Sequence, residues 1–257
     1  MHRLLVETAL LSEDSPILPA DAARHLRVVR PREGEEVELF DGQGKWRVYR
    51  FRASPKSGED ACSSLVATSR TFQTSRTSEP LTLFACVTKG SRWDWTIEKA
   101  TELGATRIVP VISDRTIVRI PGAERAAKRE RWLRIAEDAA RQSDAKWLPE
   151  ITEATDFRET LPLVRETACF IGALTDPPSP PISVAYGRVI TAGREEGRTV
   201  VPLSAYIGPE GDFTPEELAA LMEVATPVSF GPTVLRAETA AIFALSALRT
   251  LSLGRGF

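Results

Sequence analysis

Two stretches decide how this chain is read: Tyr206-Ile207-Gly208-Pro209-Glu210-Gly211-Asp212-Phe213-Thr214-Pro215-Glu216-Glu217-Leu218, and then Phe230-Gly231-Pro232-Thr233-Val234-Leu235-Arg236-Ala237-Glu238-Thr239-Ala240. Each begins in a short apolar run, turns at Gly-Pro and leads into a helical pattern. Strand, glycine turn and helix bring backbone amides and carbonyls close to a small ligand. Two such turns close together in sequence suggest one composite pocket. Thr214, Pro215 and Glu217 add a capping box with proline at the first helical position, which pins the helix start and the turn before it.

Upstream of the first loop the pattern is that of an α/β domain. Residues 81–87 are a continuous apolar run, 93–103 are helical and end at Gly104, and 107–112 are a second apolar run. That sequence predicts a βαβ unit with parallel strands and a right-handed crossover. A long helix is expected over 124–142, with further strands at 169–174 and 204–207. The Pro- and Gly-rich stretch 176–202 lacks clear periodicity and reads as a surface insertion. Residues 1–70 read differently. Short strands are expected at 3–6, 36–40, 46–52 and 64–68, with a helix over 20–28 capped by Asp21. Asp41-Gly42-Gln43-Gly44 joins two alternating runs as a hairpin. Several short strands argue for a small barrel, and the polar tract 70–80 for the linker between two domains.

At 257 residues the chain is long enough for one large domain or two smaller ones, and 42% hydrophobic with 26% charged residues is a globular balance. No apolar run is long enough to span a bilayer. Glu7 comes too early for a secretory signal, so the cytoplasm is the default location. Cys62, Cys86 and Cys169 are scattered, and His2 and His25 form no ligand cluster, so neither zinc nor a disulfide is expected. Each cysteine reads as a small buried hydrophobe. There is no GxGxxG, GxxxxGK[ST] or GxSxG motif, which argues against nicotinamide enzymes, P-loop NTPases and α/β-hydrolases. A net charge of −2 gives no global case for nucleic acid. Locally, Arg24, His25, Arg27, Arg30 and Arg32 cluster, followed by Arg47, Arg50 and Arg52, and such a cluster can pair with phosphates or simply form a solvated surface. Lys89, Arg92 and Trp93 open the first helix of the second domain, as an RNA grip or as an ordinary helix start with Trp93 in the core.

The two glycine loops, with Leu39-Phe40-Asp41-Gly42 and Thr88-Lys89-Gly90 through Glu102-Leu103-Gly104, resemble the signature of the RsmE-type 16S ribosomal RNA uridine-N3 methyltransferases of the SPOUT superfamily. Allowing for one insertion, the resemblance covers nearly the whole chain. It implies an α/β fold: a SPOUT-type trefoil-knot methyltransferase domain over 80–257, preceded by a small PUA-like β-barrel, RNA-binding, over 1–72. It further implies S-adenosyl-L-methionine as cofactor, 16S ribosomal RNA of the small subunit as substrate, a homodimer, no metal and a part in ribosome biogenesis. The uncharged helix 239–248 is compatible with burial in a core or a subunit interface.

Carried over by motif, the cofactor would be held by Ala173 or Leu174, by Ile207, Gly208, Pro209 and Gly211, and by Phe230, Gly231, Val234, Leu235, Thr239 and Ala240. Glycine would be needed at Gly208 because ligand and backbone touch there. Uridine N3 holds a proton at neutral pH. Arg236 would stabilise the uracil carbonyls as they become anionic, and Glu238 or Glu210 would take the proton. By charge alone Arg236 and Glu238 could equally be a structural ion pair. RNA contacts would fall to Arg24, His25, Arg27, Arg30, Lys89 and Arg92. The chain departs from the family in two places. Arg141-Gln142-Ser143-Asp144-Ala145 stands where Glu-Gln-Ser-Gly-Arg is common, and Thr233 stands where an arginine is usual. Lys146 and the arginines of 24–32 are candidates to compensate. Two alternatives remain: a related knotted enzyme with a ribose or other RNA target, and a catalytically silent RNA-binding assembly factor.

Overall fold

The computed structural model describes residues 1–53, 64–76, 79–173, 175, 177–195, 197 and 200–253. The chain divides into two compact units, Met1–Arg76 with Glu137–Leu148, and Thr77–Ala136 with Pro149–Phe257. The first unit therefore takes in a tract, 137–148, that a single cut near residues 70–80 leaves to the second.

The first unit is a five-stranded sheet. Strands β1 (His2–Leu5), β2 (Glu36–Phe40), β3 (Lys45–Arg52) and β4 (Ser64–Ala67) lie in that order, and β5 (Phe72–Gln73) also pairs with β3. The β1–β2 pair is parallel and the others are antiparallel. Helix α1 (Ala20–Val29) follows Pro19, which supplies no side-chain cap, so Asp21 sits inside the first turn and not at the cap. The hairpin turn is tied by Asp41, whose Oδ1 accepts the Gln43 and Lys45 amides at 2.7 and 3.0 Å. Gly44 adopts φ +95°, a conformation side chains rarely tolerate.

Strand β2 is not half-buried as its alternation suggests. Glu38 is 1% exposed, and its carboxylate meets Lys146 Nζ and, at 3.7 Å, Arg3 Nε. The tract 144–148 supplies that cover. Gly44 N–H donates to the Lys146 carbonyl and Leu148 N–H to the Gly42 carbonyl, both at 2.9 Å. Lys146 also lies 4.8 Å over the Trp46 ring, which stacks on Phe72. Lys146 is thus committed to this unit's interior and cannot replace a missing RNA-facing cation. Arg47 is equally committed, bonding the Leu11, Glu13 and Ser69 carbonyls and Asp14.

The second unit is a parallel sheet with helices on both faces. Its elements are β6 (Leu81–Cys86), α2 (Ser91–Glu102), β7 (Arg107–Ile112), α3 (Gly122–Ser143, whose residues from Glu137 belong to the first unit), β8 (Glu150–Ile151), β9 (Thr155–Asp156), α4 (Phe157–Arg165), β10 (Ala168–Gly172), α5 (Ile182–Glu195), β11 (Leu203–Ile207), α6 (Pro215–Met222), β12 (Thr226–Val228) and α7 (Ala237–Leu253). The strand order is β12-β10-β11-β6-β7-β8, with β9 also on β7, and every pairing is parallel. All six residues of β6 are buried, as expected of a strand covered on both faces. Leu81, Leu83 and Ala85 face a core shared with Trp93, Ile97, Tyr186 and Leu245, while Phe84 and Cys86 face Phe157, Tyr206 and Phe213.

One expectation needs correction here. Residues 182–195 are helix α5, not irregular insertion. Ile182, Ala185, Tyr186 and Ile190 bury one face against the core, and that packing outweighs the low helix propensity of Gly187, Gly193 and the β-branched residues. Helix α7 is buried on one stripe only, with Ala241, Ala244, Leu245 and Leu248 inside and Phe243 41% exposed. Trp93 is a core residue, 3% exposed and edge-on to Trp132, and Trp95 is the exposed one. Cys86 and Cys169 are buried among apolar side chains, and burial pushes both thiols up to about 12. Cys62 lies outside the described residues. Among those described, no helix is long and apolar enough to cross a membrane, and no group of three His, Cys, Asp or Glu could hold a metal.

Candidate active site

The sequence builds the first loop as a rigid turn. Thr214 caps α6: its Oγ1 accepts the Glu217 amide at 3.2 Å, and Glu217 Oε2 accepts the Thr214 amide at 3.0 Å. Pro215 follows at the first helical position. Asp212, at φ +59°, donates its amide to the Pro209 carbonyl at 3.0 Å and accepts the Phe213 amide on Oδ1 at 2.7 Å. Phe213 then turns inward onto Tyr206 and Phe157. A Cβ on Gly208 would stand 2.9 Å from that ring. Glycine is required at Gly208 by Phe213 itself, a reason different from the expected ligand contact.

The second loop is held more lightly. Ser229 donates its amide to the Pro180 carbonyl at 2.9 Å, and its hydroxyl accepts the Gly231 amide at 3.2 Å. Gly231 has φ +118° with open space around it. Phe230 lies over Gly172, where a Cβ would meet the ring at 2.4 Å, and packs on Phe243 with centroids 5.4 Å apart. Gly231 through Thr233 are exposed and Val234 is 82% exposed. Arg236 is exposed and directly precedes α7, its carbonyl accepting the Ala240 amide at 2.8 Å.

The two loops and the end of β10 surround one cavity of about 410 Å³, within the usual range for small-molecule clefts. Of the candidates, Ala173, Ile207, Gly208, Pro209, Glu210, Phe230, Gly231, Val234, Leu235, Arg236 and Ala240 line it. Gly211, Glu238 and Thr239 are adjacent in sequence but not in its wall, and Leu174 lies outside the described residues. The wall also uses Gly172, Tyr206, Asp212, Phe213, Val228, Ser229 and Thr233. Tyr206, Asp212, Phe213 and Thr233 lie within the two quoted stretches, and strand ends beside the loops were the sequence signal for Gly172, Val228 and Ser229. A polar cleft of about 610 Å³ lies elsewhere in the same unit, around Asp114, Arg119, Arg158 and Glu216. It lacks the two converging glycine loops.

Glu210 is engaged by Arg92 at 3.3 Å, so Arg92 is tied to the cavity's rim. Glu238 has a buried Oε2 with no hydrogen-bond partner among the described residues. Among the described residues no ion pair is found between Arg236 and Glu238, although their opposite charges allow one. Lys89 is exposed just before α2. In the first unit Arg24, His25, Arg27 and Arg30 are all exposed on α1 and its C-terminal residue, Arg30 at φ +48°. The arrangement offers backbone and apolar groups for a flat or flexible ligand, the Arg236 guanidinium at the mouth, and the carboxylates of Glu210 and Asp212 in the wall.

Residues 75–249 match the RNA methyltransferase domain family, and residues 18–58 match the RNA methyltransferase PUA domain. The chain belongs to the RNA methyltransferase family. Within it, the chain is 29% identical to the ribosomal RNA small subunit methyltransferase E of Synechocystis over 97% of this chain and 78% of that protein. The counterpart in Bacillus subtilis is 30% identical over 62% of this chain and 61% of its own length. Among solved structures, the ribosomal RNA small subunit methyltransferase E of Neisseria gonorrhoeae, bound to S-adenosyl methionine, is similar with a TM-score of 0.78 and 27% identity, over 98% of each chain. The similarity that the two glycine loops carry thus extends over both units of this methyltransferase.

Proposed function

We propose that this methyltransferase transfers a methyl group from S-adenosyl-L-methionine to N3 of a uridine in 16S ribosomal RNA of the small subunit. The observation that carries the reading is the convergence of both glycine loops on one main-chain-walled cavity with Arg236 at its mouth. The cofactor named in the Neisseria gonorrhoeae relative fits this wall, because adenine and ribose need close backbone approach and apolar cover, which Gly208, Pro209, Phe230, Val234 and Leu235 can supply. Bound, it would supply an electrophilic methyl group on sulfur.

The chain's own work is to deprotonate and orient the uracil. Arg236, exposed beside the cavity, donates hydrogen bonds to a carbonyl as N3 loses its proton, an effect of about 2.7–4 kcal/mol for a preorganised donor. Glu210, which lines the cavity, and Glu238, with one buried oxygen that has no hydrogen-bond partner among the described residues, are the two candidate proton acceptors. Aligning N3 with the methyl group contributes alongside both. Arg24, His25, Arg27 and Arg30 would contact phosphates, giving a salt-dependent affinity. Lys89 and Arg92 would add contacts near the cavity. The same reading includes a trefoil knot in the 80–257 domain, a PUA-like barrel over 1–72, a cytoplasmic location, and a homodimer using the exposed side of α7 around Phe243.

The test is methyl transfer to small ribosomal subunits lacking the modification, with nucleoside mass spectrometry. The expected outcome is 3-methyluridine with the wild-type protein and a roughly 10²–10³-fold slower rate with Arg236→Ala. A methylated ribose would move the target to a related chemistry. Cofactor binding with no product on any ribosomal substrate would favour a silent assembly factor. Thr233 at the cavity is the observation that keeps this second reading in play, because it stands where the family resemblance expects a cation.

A further inference from the structure

The segment after β7, residues 113–119, folds on itself. Thr116 Oγ1 accepts the Ser113 amide at 2.9 Å, and Arg119 bonds the Ser113 and Asp114 carbonyls at 3.2 and 2.8 Å. From this fixed base two groups reach across to the first glycine loop. The Asp114 amide donates to Glu217 Oε1 at 2.9 Å, joining the capping box of α6. Arg115 Nη1 donates to the carbonyls of Gly211 and Phe213, both at 3.2 Å.

The rest of the loop explains why this contact has consequences. Gly208 is confined by the Phe213 ring, Pro209 by its own ring, and Asp212 by its two turn hydrogen bonds. Gly211 has no such confinement: an added Cβ would find only ordinary contact, with Arg115, at 3.6 Å. A glycine met only by ordinary contacts samples many backbone angles. The Arg115 guanidinium holds the Gly211 carbonyl and, through Phe213, the far end of the same turn.

We infer that Arg115, which does not line the cavity, is a positioning residue that keeps the 208–213 loop in its cavity-forming shape. This deepens the reading of that loop as a cofactor wall and rests on it for the ligand. The test compares wild type, Arg115→Ala and Arg115→Lys by S-adenosylmethionine titration, urea unfolding and amide hydrogen exchange without ligand. Arg115→Ala should weaken cofactor binding roughly five- to thirty-fold, as expected for losing charge-assisted bonds at an exposed site. It should change turnover at saturating cofactor less than about threefold, as expected when ground-state and transition-state binding are lost alike. Exchange at the Asp212 and Phe213 amides should accelerate while α7 stays protected. Arg115→Lys, which can still donate to a carbonyl, should recover most of the affinity.

Binding by Arg115→Ala within twofold of wild type would overturn the inference. So would a parallel loss of affinity and global stability that lysine does not restore, because that marks a fold-wide role. Wild-type protein that binds no S-adenosylmethionine would instead overturn the functional reading, and accelerated exchange in Arg115→Ala would then still uphold the brace.

Discussion

The two glycine loops face one cavity but are built in opposite ways. The first, 208–213, is braced by a buried aromatic ring, a reciprocal capping box and a guanidinium from another strand's loop. The second, 229–236, is tied by the Ser229 hydroxyl, by backbone bonds at its two ends and by the Phe230 ring, and carries exposed Val234 and Arg236 between and beside them. One wall is tightly tied to its surroundings, and the other exposes most of its side chains. Rigid first walls and adaptable second ones are a common division where a reactant must be both held and released. Substitutions in the braced loop should therefore change stability and affinity together, whereas those in the open loop should change affinity or turnover alone.

The largest expected effect falls in the open loop. Arg236→Ala should reduce turnover roughly 10²–10³-fold and leave the urea midpoint and cofactor affinity nearly unchanged. A drop in stability would mean that the second loop is braced after all. Next comes Gly208→Val, which forces side-chain atoms into the Phe213 ring. Overpacking of this kind costs about 1–3 kcal/mol, read as a lower urea midpoint together with roughly ten- to hundredfold weaker cofactor binding. Loss of affinity at unchanged stability would restore ligand contact as the reason for glycine there. Thr214→Ala removes the cap of α6 and should cost about 0.5–2 kcal/mol, with a smaller loss of binding. Smallest is Gly231→Ala. Its φ of +118° is strained for alanine, by about 1 kcal/mol, but the loop is exposed and can relax. Thermal unfolding should hardly move, while affinity falls a few-fold.

The geometry of the first glycine loop was legible because glycine, proline and capping residues announce it locally. Thr214-Pro215-Glu216-Glu217 specifies a helix start wherever it occurs, and the structure contains that capping box in full. The same holds for Asp41-Gly42-Gln43-Gly44, whose turn bonds lie within five residues. Helix α5 was not legible, because two glycines and several β-branched residues hide an apolar stripe that only a core can reward. The burial of Glu38 was not legible for a related reason: alternation reports which side a residue faces, not what covers that side. Lys146, distant in sequence, covers it.

By itself the sequence determined the strand–turn–helix units and the βαβ opening of the second unit, since these follow from short-range backbone rules and from apolar periodicity; the candidate pocket residues came from the family resemblance. Only the tertiary structure decided which charges remain available. It committed Lys146 and Arg47 to the interior of the first unit, tied Arg92 to Glu210, left an oxygen of Glu238 without a hydrogen-bond partner among the described residues and brought Arg115 onto the carbonyls of Gly211 and Phe213. The physical reason is range. A turn is specified by neighbours in the chain, but the partner of a charge is set by whichever segment the fold delivers within about 4 Å of it.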